Sequence, residues 1–127
     1  MTNPTDARAH LTKAREFLEA ARDEYDFERY NSAASSAVIS GINSKDAICL
    51  KLKRKTTKSE DHTQAVRELR MSGPDGASLE STFRRLLVLK PKAQYQGTPI
   101  TASTAREAVA WAQRIYDVAL LVVTRSD

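Results

Sequence analysis

Apolar side chains recur at alternating spacings of three and four along most of the chain, and polar side chains fill the positions between them. In the first segment Ala7, Leu11, Ala14, Leu18, Ala21 and Tyr25 form one stripe. Arg8, Lys13, Glu16, Glu19 and Asp23 fall mostly on the other side. This is the pattern of a helix docked through one face, with Thr5 or Asp6 as its cap. A second segment, from about Glu28 to Lys53, keeps the helical period through Ala34, Ala37, Val38, Gly41, Ile42, Ile48, Cys49 and Leu52. Its first half, AASSAVISG, has very small side chains, so another helix can approach its backbone closely. That neighbour could belong to the same chain or to a second subunit.

The stretch RKTTK interrupts the pattern. Ser59, followed by Glu60 and Asp61, offers a cap for a third helix with Ala65, Val66 and Leu69 on its apolar face, and MSGPDG should end it. A short fourth helix restarts at Ser78, buries Leu79, Phe83, Leu86 and Leu87, and is expected to stop at Lys90–Pro91. Lys92 to Pro99 reads as a loop anchored by Tyr95. Ile100 and Thr101 then form a staple and cap for a final helix, which turns Ala105, Ala108, Ala112, Ile115, Ala119 and Val122 inward. Trp111, Tyr116 and Val123 widen that face. The run LLVV continues the same helical period and is not read as a strand. Three long and two shorter helices predict an all-α, antiparallel four- to five-helix bundle.

Length and composition narrow this picture. One core, spanning residues 1–127, accounts for every predicted element. Aromatic residues make up only 6% of the chain, so alanine, leucine and valine must build the interior, which favours closely packed helices over a sheet. Cys49 is the single cysteine, which excludes an internal disulfide and fits a reducing cytoplasm. The N-terminus lacks the apolar core of a signal peptide, and no apolar run approaches the roughly 20 residues of a membrane span, so no membrane partner is expected.

Charge matters through its distribution. The formal net charge is +4, but Lys51, Lys53, Arg54, Lys55 and Lys58 fall within eight residues. Such a cluster suits phosphates and would give salt-sensitive RNA binding, although no aromatic side chain interrupts it to stack bases. One cysteine and two separated histidines do not supply a metal shell, and Gly41, Gly73, Gly76 and Gly97 are too scattered for a phosphate-cradling loop. No metal or cofactor is therefore expected. Cys49, with no histidine at a contact-predicting spacing, reads as a small buried hydrophobe. His62 follows Asp61 at a helix start beside the basic cluster. An imidazole there could move the proton of a ribose hydroxyl while a nearby cation steadies the phosphate, or it could be a solvated first-turn side chain.

Two stretches, EFLEAARDEYDFERYNSAASSAVISGINSKDAICLKLKRKTTKSEDHTQAV and KPKAQYQGTPITASTAREAVAWAQRIYDVA, resemble small bacterial HEPN-domain proteins over nearly the whole chain. The resemblance is carried by RYNSAASSAVISGINSKDAI, DHTQAV and KAQYQ. It implies a dimeric four- or five-helix bundle, either a metal-independent ribonuclease of toxin–antitoxin and antiviral systems or a non-catalytic module that binds RNA or protein. Catalytic members carry an arginine, four to six residues, and then a histidine. Here the permitted positions before His62 hold Lys55, Thr56 and Thr57, and Arg54 stands one residue too far away; those before His10 hold Asn3, Pro4 and Thr5. The motif is absent, and lysine lacks the planar fork of arginine. The expected function is thus a non-catalytic, homodimeric module that binds RNA, or a cognate antitoxin or nucleotidyltransferase protein, in a toxin–antitoxin or phage-defence setting. The alternative is a diverged endoribonuclease using His62 with Arg54 or Lys55.

Overall fold

The computed structural model describes residues 4–57, 61–94 and 97–126, with side chains from Asp6 onward. Lys58, Ser59 and Tyr95, which the sequence singles out as a cation, a cap and a loop anchor, lie outside the described residues. The described residues form six helices: α1 (Pro4–Asp26), α2 (Tyr30–Lys53), α3 (His62–Met71), α4 (Pro74–Ala77), α5 (Glu80–Gln94) and α6 (Ala102–Thr124). The described residues contain no strand, and the LLVV run is part of α6. None of the described helices is long and apolar enough to cross a membrane.

α2 is the axis of the bundle, with α1, α5 and α6 packed around it. The predicted stripes are the buried ones: Ala7, Leu11, Ala14, Leu18 and Ala21 on α1, and Ala105, Ala108, Ala112, Ile115, Ala119 and Val122 on α6. Tyr116 and Val123 are buried with them, while Trp111 packs half-buried against the core. The small side chains of α2 serve this packing directly. A Cβ at Gly41 would collide with Leu86 of α5 and lie 3.7 Å from Ile115 of α6, and the Ser40 hydroxyl donates to the Ala14 carbonyl at 2.7 Å. The AASSAVISG face is therefore consumed within one protomer. The close neighbour that the small side chains allow is thus supplied, for these residues, by the same chain.

The connections differ from the sequence reading in three places. Asp61 caps α3, its carboxylate accepting from the backbone N–H of Thr63 at 2.9 Å and of Gln64 at 3.4 Å. MSGPDG is more than a break, because Pro74–Ala77 close a single helical turn whose last hydroxyl, Ser78, acts as its C-cap residue. α5 runs through Pro91 to Gln94 rather than stopping at Lys90. A proline there forfeits one helical hydrogen bond, but Ala93 still packs on the core and Gln94 donates to Ser35 Oγ at 3.3 Å, which holds the extra turn in place. The Thr101 cap forms as expected, accepting from the Thr104 N–H at 3.1 Å, and the buried Ile100 donates its N–H to Asn31 Oδ1 at 2.8 Å.

Candidate functional site

Four consecutive polar residues, Asn43, Ser44, Lys45 and Asp46, are buried in the middle of α2. A helix enclosed on most sides cannot turn such a run to solvent, so burial favours partners inside the bundle; Asn43, Lys45 and Asp46 find them, whereas the buried Ser44 hydroxyl has none among the described residues. Lys45, only 1% exposed, sends its ammonium to the Glu68 carboxylate of α3, with further bonds to Thr56 Oγ1 at 2.9 Å and Asp46 Oδ1 at 3.3 Å. Glu68 also accepts the Thr57 N–H at 3.0 Å and the Thr57 hydroxyl. Thr56 in turn donates to Asp46 Oδ1 at 2.5 Å. Burial acts to raise the Glu68 carboxyl, but the bonds from Lys45 and Thr57 outweigh it and hold the group below the usual carboxylate range. The network pins α3 and the segment after α2 against the middle of α2.

The other oxygen of Asp46 faces α1, where it lies 3.9 Å from His10 Nδ1. His10 Nδ1 is 2.8 Å from Asn43 Oδ1, and Asn43 Nδ2 donates to the Ile39 carbonyl at 3.0 Å. That second bond decides the orientation of the amide. Asn43 offers an oxygen to the imidazole, so His10 Nδ1 is the donor and, in the neutral ring, Nε2 carries the lone pair.

His10 and His62, the only two histidines in the chain, line one cleft of about 270 Å³. Lys13, Asn43, Lys45, Asp46, Thr57 and Lys90 supply the rest of its polar wall, and Ile42, Ala65, Phe83 and Leu87 its apolar part. His62 occupies the first turn of α3, directly after the capping Asp61, so its ring sits at the electropositive end of that helix. Lys13 lies one turn beyond His10 on α1. The cleft thus combines two imidazoles, the side chains of Lys13 and Lys90 and an apolar surface. Among the described residues no three His, Cys, Asp or Glu side chains are grouped to hold a metal ion.

The residues proposed from sequence are distributed differently. Lys51 and Lys53 close the last turn of α2, Arg54 takes a left-handed conformation (φ 59°) as its C-cap residue, and Lys55 follows. Lys53 and Lys55 line a separate hollow of about 260 Å³ with Cys49, Glu68 and Met71, whereas His62 lines the cleft just described. Arg54 lines neither. Cys49 is a buried thiol pushed up to about 12, chiefly by burial, so it is not a nucleophile at neutral pH. Sequence reasoning missed His10, Lys13, Asn43, Lys45 and Asp46. The available signal was the NSKD run, four consecutive polar residues between Ile42 and Ala47 in the middle of a long helix.

Residues 7–122 match the family model described as the HEPN domain, and that stretch contains all of the cleft. The chain belongs to the HEPN family. Its helical bundle is the HEPN fold, with α2 as the core helix and the polar cleft formed where α1, α2, α3 and α5 meet. No curated protein matches the chain closely enough to count as a relative.

Proposed function

We propose that this HEPN domain is a non-catalytic RNA-binding module that seats a nucleotide of single-stranded RNA in the cleft between α1, α2, α3 and α5. One observation carries this reading: both histidines, Lys13 and Lys90 surround a cavity that also has the apolar wall of Ile42, Ala65, Phe83 and Leu87. The cations and the N-terminus of α3 favour a phosphate, and the apolar wall favours a sugar or base. Lys51, Lys53, Arg54 and Lys55 line no part of the cleft, but they precede its Thr57 in sequence and add positive charge to that segment. The absence of the Arg-x(4–6)-His pattern supports binding without cleavage. HEPN membership supports a homodimer working in a toxin–antitoxin or phage-defence setting. Fluorescence anisotropy with a labelled 20-nucleotide RNA tests the binding. Affinity should fall steeply between 50 and 200 mM salt, as about 10-fold or more for a few phosphate contacts, and Lys13→Ala with Lys90→Ala should weaken it further. No binding at 50 mM salt would remove the proposal.

A second reading is favoured by the two imidazoles sharing one cleft. In it His10 Nε2 takes the proton of a ribose 2′-hydroxyl, the resulting oxygen attacks the adjacent phosphorus, and the protonated His62 gives its proton to the departing 5′-oxygen. The products are a 2′,3′-cyclic phosphate and a 5′-hydroxyl. This assigns the partner of His62 to His10, in place of Arg54 or Lys55. RNA cleavage that persists in EDTA, and is lost in both His10→Ala and His62→Ala, would establish it over the first reading.

A further inference from the structure

A second groove, of about 340 Å³, runs between α3 and α5 and shares His62 and Leu87 with the polar cleft. Its walls follow helical spacing: Thr63, Val66, Arg67 and Arg70 form one face of α3, and Arg84, Leu87 and Val88 face them from α5. Val66 and Leu87 form a buried floor, while Val88 is 66% exposed and stands among the cations. Arg70 and Arg84 share a single carboxylate oxygen of Glu80, at 3.3 and 2.7 Å, and Arg67 makes no ion pair with the described residues. Three guanidiniums therefore face one carboxylate. No acidic side chain lines the groove, and His62 is its one aromatic ring.

We propose that this groove docks an acidic amphipathic segment of a partner protein, lying against α3 and α5 with its apolar side chains on Val66, Leu87 and Val88 and its carboxylates on Arg67, Arg70 and Arg84. Charge complementarity selects the occupant's sign, since the rim carries a surplus of positive charge that bidentate carboxylate contacts would satisfy. The apolar content selects its class. An RNA strand would leave Val88 in water and finds only the His62 imidazole to stack on, whereas an apolar side chain held by a flanking helix would dehydrate Val88. Two parallel ridges of this kind form the trough into which a third helix packs. The proposal is independent of what the polar cleft binds, although His62 and Leu87 border both.

The test uses the full chain and synthetic 15-residue peptides carrying leucines at helical spacing and glutamates elsewhere, beside matched series with lysine for glutamate and serine for leucine. The acidic leucine series should bind in fluorescence anisotropy, with the other two at least tenfold weaker. Val88→Asp and Arg67→Glu, both exposed and hence compatible with folding, should each weaken binding at least tenfold, while Arg67→Lys stays within about threefold; circular dichroism melts confirm that the variants fold. Equal binding of acidic and basic series would overturn the proposal, as would a Val88→Asp variant that binds like the parent. A labelled uridine 15-mer that binds the groove more tightly, and loses affinity with the arginines but not with Val88, would overturn it in favour of a phosphate track.

Discussion

The Lys45 ammonium and the Glu68 carboxylate meet across the packing of α2 on α3, with Lys45 almost wholly removed from solvent and Glu68 about one-fifth exposed. Thr56 and Thr57 close the same network, so the ion pair fixes the path of the segment that leads from α2 towards His62. Removing one member strands the other. Lys45→Ala should lower unfolding free energy by about 3 kcal/mol, the cost of an uncompensated buried charge, measured by urea denaturation. A loss below about 1 kcal/mol would mean that the pair is not structural.

Acid sensitivity follows from the same contact. The folded Glu68 holds its proton less readily than the unfolded chain does, because Lys45 and Thr57 hold its carboxylate against the opposing effect of burial. Its contribution is complete above the ordinary carboxylate value and fades as pH drops through the lower, folded one. Stability measured from pH 7 down to pH 3 should therefore decline less steeply in Glu68→Gln than in the parent; identical acid limbs would contradict the assignment.

At Gly41 the backbone of α2 is within reach of Leu86 and Ile115, both fully buried. Gly41→Val should cost about 2–3 kcal/mol through overpacking, seen as a lower melting temperature. Unchanged stability would show that α5 can yield there.

His10 provides a spectroscopic readout. With Asn43 held by the Ile39 carbonyl, the neutral imidazole must carry its proton on Nδ1. Nitrogen-detected ring correlations at high pH should show that tautomer in the parent, and a shift toward the Nε2-protonated form in Asn43→Leu. The Nε2-protonated form in the parent would contradict the described network.

Much of the bundle was legible because its stripes are regular: the α1 and α6 core residues follow directly from three-and-four spacing. Pro91 misled because local rules weigh a lost hydrogen bond but not the contacts of Ala93 and Gln94 that outlast it. The site was harder to read. His10 and His62 stand 52 positions apart in sequence (62 minus 10), and only the packing of α1 and α3 against α2 brings them to one cleft. The basic cluster was conspicuous because its members are adjacent in sequence, yet adjacency does not place Lys55 on the His62 cavity. Small side chains on α2 correctly signalled close approach, but could not say whether the neighbour was this chain or another.

The most direct test of the account is amide chemical-shift mapping of the labelled domain with a short uridine oligonucleotide. The largest changes are predicted at His10, Lys13, Asn43, His62 and Lys90, saturating together. Changes confined to Lys51–Lys55, with the cleft residues unmoved, would contradict it.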